Sequence, residues 1–225
     1  MNKVRFFLIV MLGFAHLCAA NDYSKMSADE FKQALMEIIT QNNQDEVSKI
    51  LAHPKAKNFN EDDLREALVL AAENNYVNIA HKLIQAGADI KEKYCFALKH
   101  AAEKGHIDMV KALLPVQGCD KRAHYMDVNY LNAHRDDALI AAARNGHADV
   151  MREIINAGAN VNYQNTFGQI ALVEAAKSGS VDAVKVLLQA RANVNACDSN
   201  GYTALIIAKR LGNADLIRLL SDSKN

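Results

Sequence analysis

Phe167-Gly168-Gln169-Ile170-Ala171-Leu172-Val173-Glu174-Ala175-Ala176-Lys177-Ser178-Gly179-Ser180-Val181-Asp182-Ala183-Val184-Lys185-Val186-Leu187-Leu188 is the stretch that decides the fold. Its apolar residues recur at helical spacing on both sides of Gly179. A helix ends most easily on a left-handed residue, and glycine adopts that conformation without steric penalty, so Gly179 predicts a stop between two helices. Val184, Leu187 and Leu188 supply the buried face of the second helix, and the Ala175-Ala176 pair lets the two helices approach closely. The same pattern occurs six times: an Ala-Leu pair, then Asn or Gly eight residues after the Ala. The anchors are Ala34 to Asn42, Ala67 to Asn75, Ala97 to Gly105, Ala138 to Gly146, Ala171 to Gly179 and Ala204 to Gly212. Successive Ala anchors lie 33, 30, 41, 33 and 33 residues apart. A period near 33 residues predicts stacked supersecondary units rather than one central core. Each unit alone buries too little, so its neighbours must supply its core.

Other copies carry further shared residues. Repeat four reads Ala141-Ala142-Ala143-Arg144-Asn145-Gly146-His147-Ala148-Asp149-Val150 and ends in Gly158-Ala159-Asn160-Val161-Asn162. Repeat three reads Ala101-Ala102-Glu103-Lys104-Gly105-His106-Ile107-Asp108-Met109-Val110, and repeat two ends in Gly87-Ala88-Asp89-Ile90. This pattern resembles the ankyrin repeat over almost all of residues 27–222. The resemblance implies an all-α solenoid of about six helix-turn-helix repeats with short β-hairpin fingers. The repeats lie near residues 27–59, 60–90, 91–131, 132–164, 165–197 and 198–222. The family's Thr-Pro-Leu-His is nowhere intact; Thr203-Ala204-Leu205-Ile206 is its nearest relic. The family uses that Thr and His to brace the helix start, so modest stability is expected here.

The resemblance also implies a binding surface. Ankyrin-type solenoids bind other proteins through their finger tips and the exposed side of their first helices. On that ridge lie Lys104, Arg144, Lys177 and Arg210, and in the fingers Phe167 and Tyr202. The ridge runs from acidic in repeat two to basic in repeats four to six. The long step from Ala97 to Ala138 places an insertion in Pro115–Asp137. Insertions in solenoids map to loops on one face, often the binding face. A lengthened hairpin finger bearing Tyr125, Tyr130, His134 and Arg135 is expected there, as a ligand contact.

The N-terminus carries a second message. Lys3 and Arg5 precede the apolar run Phe6–Ala15, and Cys18-Ala19-Ala20 is small where a signal peptidase reads. Those are the three regions of a secretory signal peptide. The apolar run is too short for a spanning helix, which needs about 20 residues. Cleavage after Ala20 is expected, leaving a mature chain of residues 21–225 with no stable membrane insertion. Lys plus Arg equals Asp plus Glu at 26 each, and loss of Lys3 and Arg5 leaves a formal charge of −2. That balance gives no electrostatic footprint for nucleic acid.

Export implies an oxidising compartment. The mature chain keeps Cys95, Cys119 and Cys197. Cys95 opens the first helix of repeat three and Cys119 follows its second, and those ends are neighbours in an antiparallel pair. Two readings stand: a Cys95–Cys119 disulfide, or three reduced thiols.

No His-Glu-x-x-His, Gly-x-Ser-x-Gly or phosphate-cradling glycine loop occurs, so neither an enzyme nor a cofactor or metal is expected. His100 and His106 flank Glu103, but His106 and His147 hold the Gly-His position, where packing is the expected role. No Asn-x-Ser/Thr sequon occurs, which fits a bacterial source. Ser27-Ala28-Asp29-Glu30 reads as a capping box with Met26 as staple. Lys209 in place of the second Ala and the polar tail Ser221–Asn225 read as a terminal cap, so a complete array and a monomer are expected. These readings converge on an exported, periplasmic or secreted module that binds another protein. The alternatives are a structural or protective factor of the cell envelope and a host-directed bacterial effector.

Overall fold

The computed structural model describes residues 23–87, 94–114 and 128–223. Its α-helices are α1 (Ala28–Thr40), α2 (Gln44–Ala52), α3 (Glu61–Glu73), α4 (Val77–Gln85), α5 (Tyr94–Lys104), α6 (Ile107–Leu113), α7 (Val128–Arg144), α8 (Ala148–Asn156), α9 (Ala171–Ser178), α10 (Val181–Gln189), α11 (Ala204–Leu211) and α12 (Ala214–Asp222). The fold is all-α and repetitive, as the period predicts. The chain forms two compact units, Met1–Ile90 and Lys91–Asn225.

In the first unit α1 packs on α3, α2 on α4, and each helix on its hairpin partner. Its start is tied down by side chains. The Ser27 box forms as expected: Glu30 N–H donates to Ser27 Oγ at 3.2 Å, and Ser27 N–H to Glu30 Oε2 at 2.8 Å. Asn60 and Asp63 form a second such box before α3. Met26 is buried, as a staple requires. Where the usual Gly-Ala turn is missing, His53 Nδ1 accepts the Lys55 N–H at 3.2 Å and starts a 3-10 helix over Pro54–Asn58. Lys55 Nζ then reaches back to the carbonyls of Tyr23 at 3.2 Å, Ser24 at 2.7 Å and Met26. Buried Tyr23 and Phe31 pack edge-on at 5.9 Å, and Phe59 stacks on Phe31 at 5.2 Å.

In the second unit the first helices α5, α7, α9 and α11 stack in one row, and α6, α8, α10 and α12 in another. The Ala pairs at 101–102, 142–143 and 175–176 are fully buried between the helices. Left-handed residues end the first helices at Asn42, Asn75, Gly105, Gly146, Gly179 and Gly212. Polar stitches then join successive turns. His147 Nε2 lies 3.0 Å from Glu103 O, Ser180 Oγ donates to Gly146 O at 3.4 Å, and Asn213 Nδ2 to Gly179 O at 3.4 Å. His147 thus has the packing role expected of it. The missing Thr-Pro-Leu-His leaves its mark too. Thr203 Oγ1 accepts from Ile206 N–H at 3.3 Å before α11, whereas Ile170 before α9 gives no side-chain cap.

Two expectations need correction. Residues 128–137 of the insertion are helical and extend α7 to 17 residues; they do not lengthen a hairpin. That stretch contains no Gly or Pro to stop a helix growing backwards from Ala138. Among the described residues the fingers are single antiparallel bridges, Gln164 to Ile170 and Cys197 to Thr203, with no extended strand.

Candidate functional site

The first-helix ridge and fingers of the second unit hold most of the expected contact residues. Glu174 stands in the apolar run of α9 and is buried. It is kept there by two cations. Arg144 Nε, from the end of α7, donates to its Oε2 at 3.0 Å, and Lys177 Nζ to its Oε1 at 2.9 Å. Lys177 also donates to Oδ2 of buried Asp198 at 3.0 Å. Asp198 Oδ1 accepts the backbone N–H groups of Asn200 and Tyr202, each at 3.0 Å, which shapes finger six. Burial pushes the Asp198 carboxyl up, but Lys177 and those N–H groups outweigh it and hold it below its ordinary value. Burial likewise works against the Lys177 ammonium, yet Glu174 and Asp198 raise its pKa. Buried ion pairs that leave one charge unmatched are costly, so the alternation of two cations and two anions is what makes this chain tolerable. It ties repeats four, five and six together. Arg144 and Lys177, expected as partner contacts, therefore spend charge on this internal network.

Fingers five and six are stitched to each other. Ser199 N–H donates to Gly168 O at 3.1 Å, and Gln164 Nε2 to Cys197 O at 3.3 Å. Their outward groups are Phe167, 76% exposed at the tip, and Tyr202, over whose ring the Arg210 guanidinium lies at 5.0 Å. Lys104 is exposed at the end of α5. Phe167, Tyr202 and Arg210 sit on neighbouring repeats, as the ridge-and-finger reading expects.

The insertion residues part company with that reading. Arg135 lies on α7 and faces inward: its Nη2 donates to Asn132 Oδ1 and to Gly158 O, both at 2.8 Å. It closes the turn after α8. Buried Asp136 accepts the Asn160 N–H at 2.7 Å, and burial pushes its carboxyl up. His134, also on α7, is half-buried, and that burial lowers its pKa below the usual imidazole range. Tyr130 belongs to the same helix, and Tyr125 lies outside the described residues. The Cys95–Cys119 bridge likewise falls outside the residues whose side chains are described, while Cys197 is free and exposed.

Sequence reasoning missed Glu174 and Asp198. The one signal was a Glu inside Ala-Leu-Val-Glu-Ala-Ala, where repeats four and six carry Ala141 and Ile207. Among the described residues no group of three or more His, Cys, Asp or Glu could hold a metal, and no helix is long and apolar enough to cross a membrane.

The family model described as Ankyrin repeats (3 copies) matches residues 91–165 and 139–225. Together these matches span the second unit and more than half of the chain. No curated protein matches the chain.

Proposed function

The chain belongs to the ankyrin repeat family, and from that membership we propose that it is an exported module that recognises one partner protein through fingers five and six. Ankyrin repeats indicate a protein–protein interaction module and are generally non-enzymatic. The observation that carries the finer reading is Phe167, 76% exposed beside the Arg210–Tyr202 pair. Aromatic and Arg residues are the side chains most often responsible for binding energy at interfaces. Phe167 is held out on a finger whose backbone is fixed by Asn165 Oδ1, which accepts the N–H groups of Phe167 at 3.0 Å and Gln169 at 2.9 Å. Little order has to be gained on binding, which favours affinity. Export rests on the charged, apolar and small-residue regions of residues 1–20.

The test uses the chain purified from its own source. Its N-terminus should read Asn21. Affinity capture followed by isothermal titration with the captured protein should give a single dominant partner. Phe167→Ala should weaken that binding by about 30-fold or more, the effect of losing a hot spot worth about 2 kcal/mol. A partner held equally well by Phe167→Ala and Arg210→Ala would place recognition elsewhere.

A further inference from the structure

Position-by-position comparison of the first helices exposes an anomaly at the end of the second unit. The third residue of the core helix is Ile140 in α7, Val173 in α9 and Ile206 in α11. It is 2% exposed in the first, 0% in the second and 39% in the third. The position two Ala residues fill in the inner repeats, Ala143 and Ala176, is fully buried there but holds exposed Lys209 in α11. The second helices repeat the contrast: Val184 and Val186 of α10 are buried, while their counterparts Ile217 and Leu219 of α12 are only half-buried. Leu211 adds a side chain 55% exposed where repeats four and five have Asn145 and Ser178.

This is the stacking face that one repeat uses to cover the next. A terminal repeat normally makes it polar, because solenoid ends must stay soluble. Here Lys209 follows that rule and Ile206, Ile217 and Leu219 do not. Contiguous apolar surface with a polar rim marks an interaction site. The rim is split by sign: α11 contributes Lys209, and α12 contributes exposed Asp215 and Asp222.

We infer that the outer face of α11 and α12 docks a second copy of this chain in an isologous, two-fold contact. Two observations select that occupant. The face continues the established repeat-on-repeat interface, so its apolar relief already fits a helix pair of this kind. A two-fold axis also sets α11 of one copy against α12 of the other, since in an isologous contact residue i meets j and j meets i. Lys209 of each copy then faces the Asp215 and Asp222 end of its mate, and the split rim becomes complementary twice over. The other end of the chain does not offer a matching open face, since Tyr23, Met26 and Phe31 are buried at the start of the first unit. A closed pair is therefore favoured over a head-to-tail filament. The face is separate from Phe167, so the pairing and the partner-binding reading stand or fall independently.

Sedimentation velocity of the chain purified from its source, from about 1 to 200 µM, is the test. The sedimentation coefficient should rise with concentration towards that of a dimer. Ile206→Glu should weaken the association at least tenfold. Its far-UV circular dichroism and thermal midpoint at low concentration should stay unchanged, because the side chain is already uncovered. Lys209→Glu and Asp222→Lys should each weaken pairing, and an equimolar mixture of the two should pair no worse than the unaltered chain. A monomer throughout that range overturns the inference. So does a dimer indifferent to Ile206→Glu, or a different helical protein seated on this face while the chain alone stays monomeric.

Discussion

Gly105 and Gly179 hold the same left-handed conformation, with φ of 77° and 75°, in different surroundings. A Cβ on Gly105 would lie 2.8 Å from two ring atoms of His147, whereas one on Gly179 would meet nothing within 4 Å. Gly179→Ala should therefore cost only the left-handed penalty, about 1–2 kcal/mol. Gly105→Ala should cost about 1–2 kcal/mol more, since the ring must give up its bond to Glu103 O to make room. Urea unfolding of both variants measures the difference, and His147→Ala in the Gly105→Ala background should recover part of it. Equal losses at the two glycines would show that the ring moves freely. At this scale much was legible. Asn42, Asn75 and the glycines announced left-handed helix ends because the residue type itself carries that preference. His147 beneath Gly105 was not legible, because its place depends on how repeat four settles on repeat three.

The α9 helix shows why part of the candidate site escaped the sequence. Lys177 looked like a free ridge cation because its neighbours in sequence are Ala176 and Ser178. Its partner Asp198 is 21 residues away on the next finger, and Arg144 reaches Glu174 across 30 residues. Such pairing needs the stacking register, which hydrophobic periodicity does not encode. The same limit produced the hairpin expectation for the insertion. Spacing located the extra residues, but only backbone continuity decided that residues 128–137 join α7. The network has a pH signature whose sign is fixed by its shifts. Asp198 is lowered, so its contribution is full above the unfolded value of about 3.9 and is lost as pH falls through the folded value. Lys177 is raised, so its contribution is full below about 10.4 and is lost as pH rises through the folded value. Between those limits Lys177→Met strands two buried carboxylates. Removing one partner of a buried pair costs about 3–5 kcal/mol. Lys177 is itself partly exposed, and solvent screening trims this to about 1–2 kcal/mol. Unfolding free energies of the two chains should differ by that amount at pH 7 and converge below about pH 4, where the carboxylates gain protons. A gap that stayed constant down to pH 2 would assign the loss to packing.

Across the second unit, stability is a sum over neighbouring repeats rather than a property of one core. The period near 33 residues made that arrangement legible, because six copies of one apolar pattern can be buried only by one another. The condition of the last repeat was not legible. Lys209 and the polar tail suggested a finished cap, and only the uncovered Ile206 shows that polar character stops halfway across the face. Additivity over neighbours makes a graded demand on mutations. Leu187 of α10 and Leu220 of α12 are both fully buried at equivalent positions. The α10 helix packs against α8 and α12, whereas among the described helices of its row α12 packs against α10 alone. Leu187→Ala therefore opens a cavity that loosens two inter-repeat contacts and should cost about 4–5 kcal/mol. Leu220→Ala loosens one and should cost about 2–3 kcal/mol. Chemical denaturation at low protein concentration ranks the two, and native-state hydrogen exchange locates the damage. Leu187→Ala should reduce protection in repeats four to six together, while Leu220→Ala should release repeat six and leave repeat four protected. If Leu220→Ala lowered protection in repeats four to six equally, the unit would behave as a single cooperative core, and additivity over neighbours would fail for this chain.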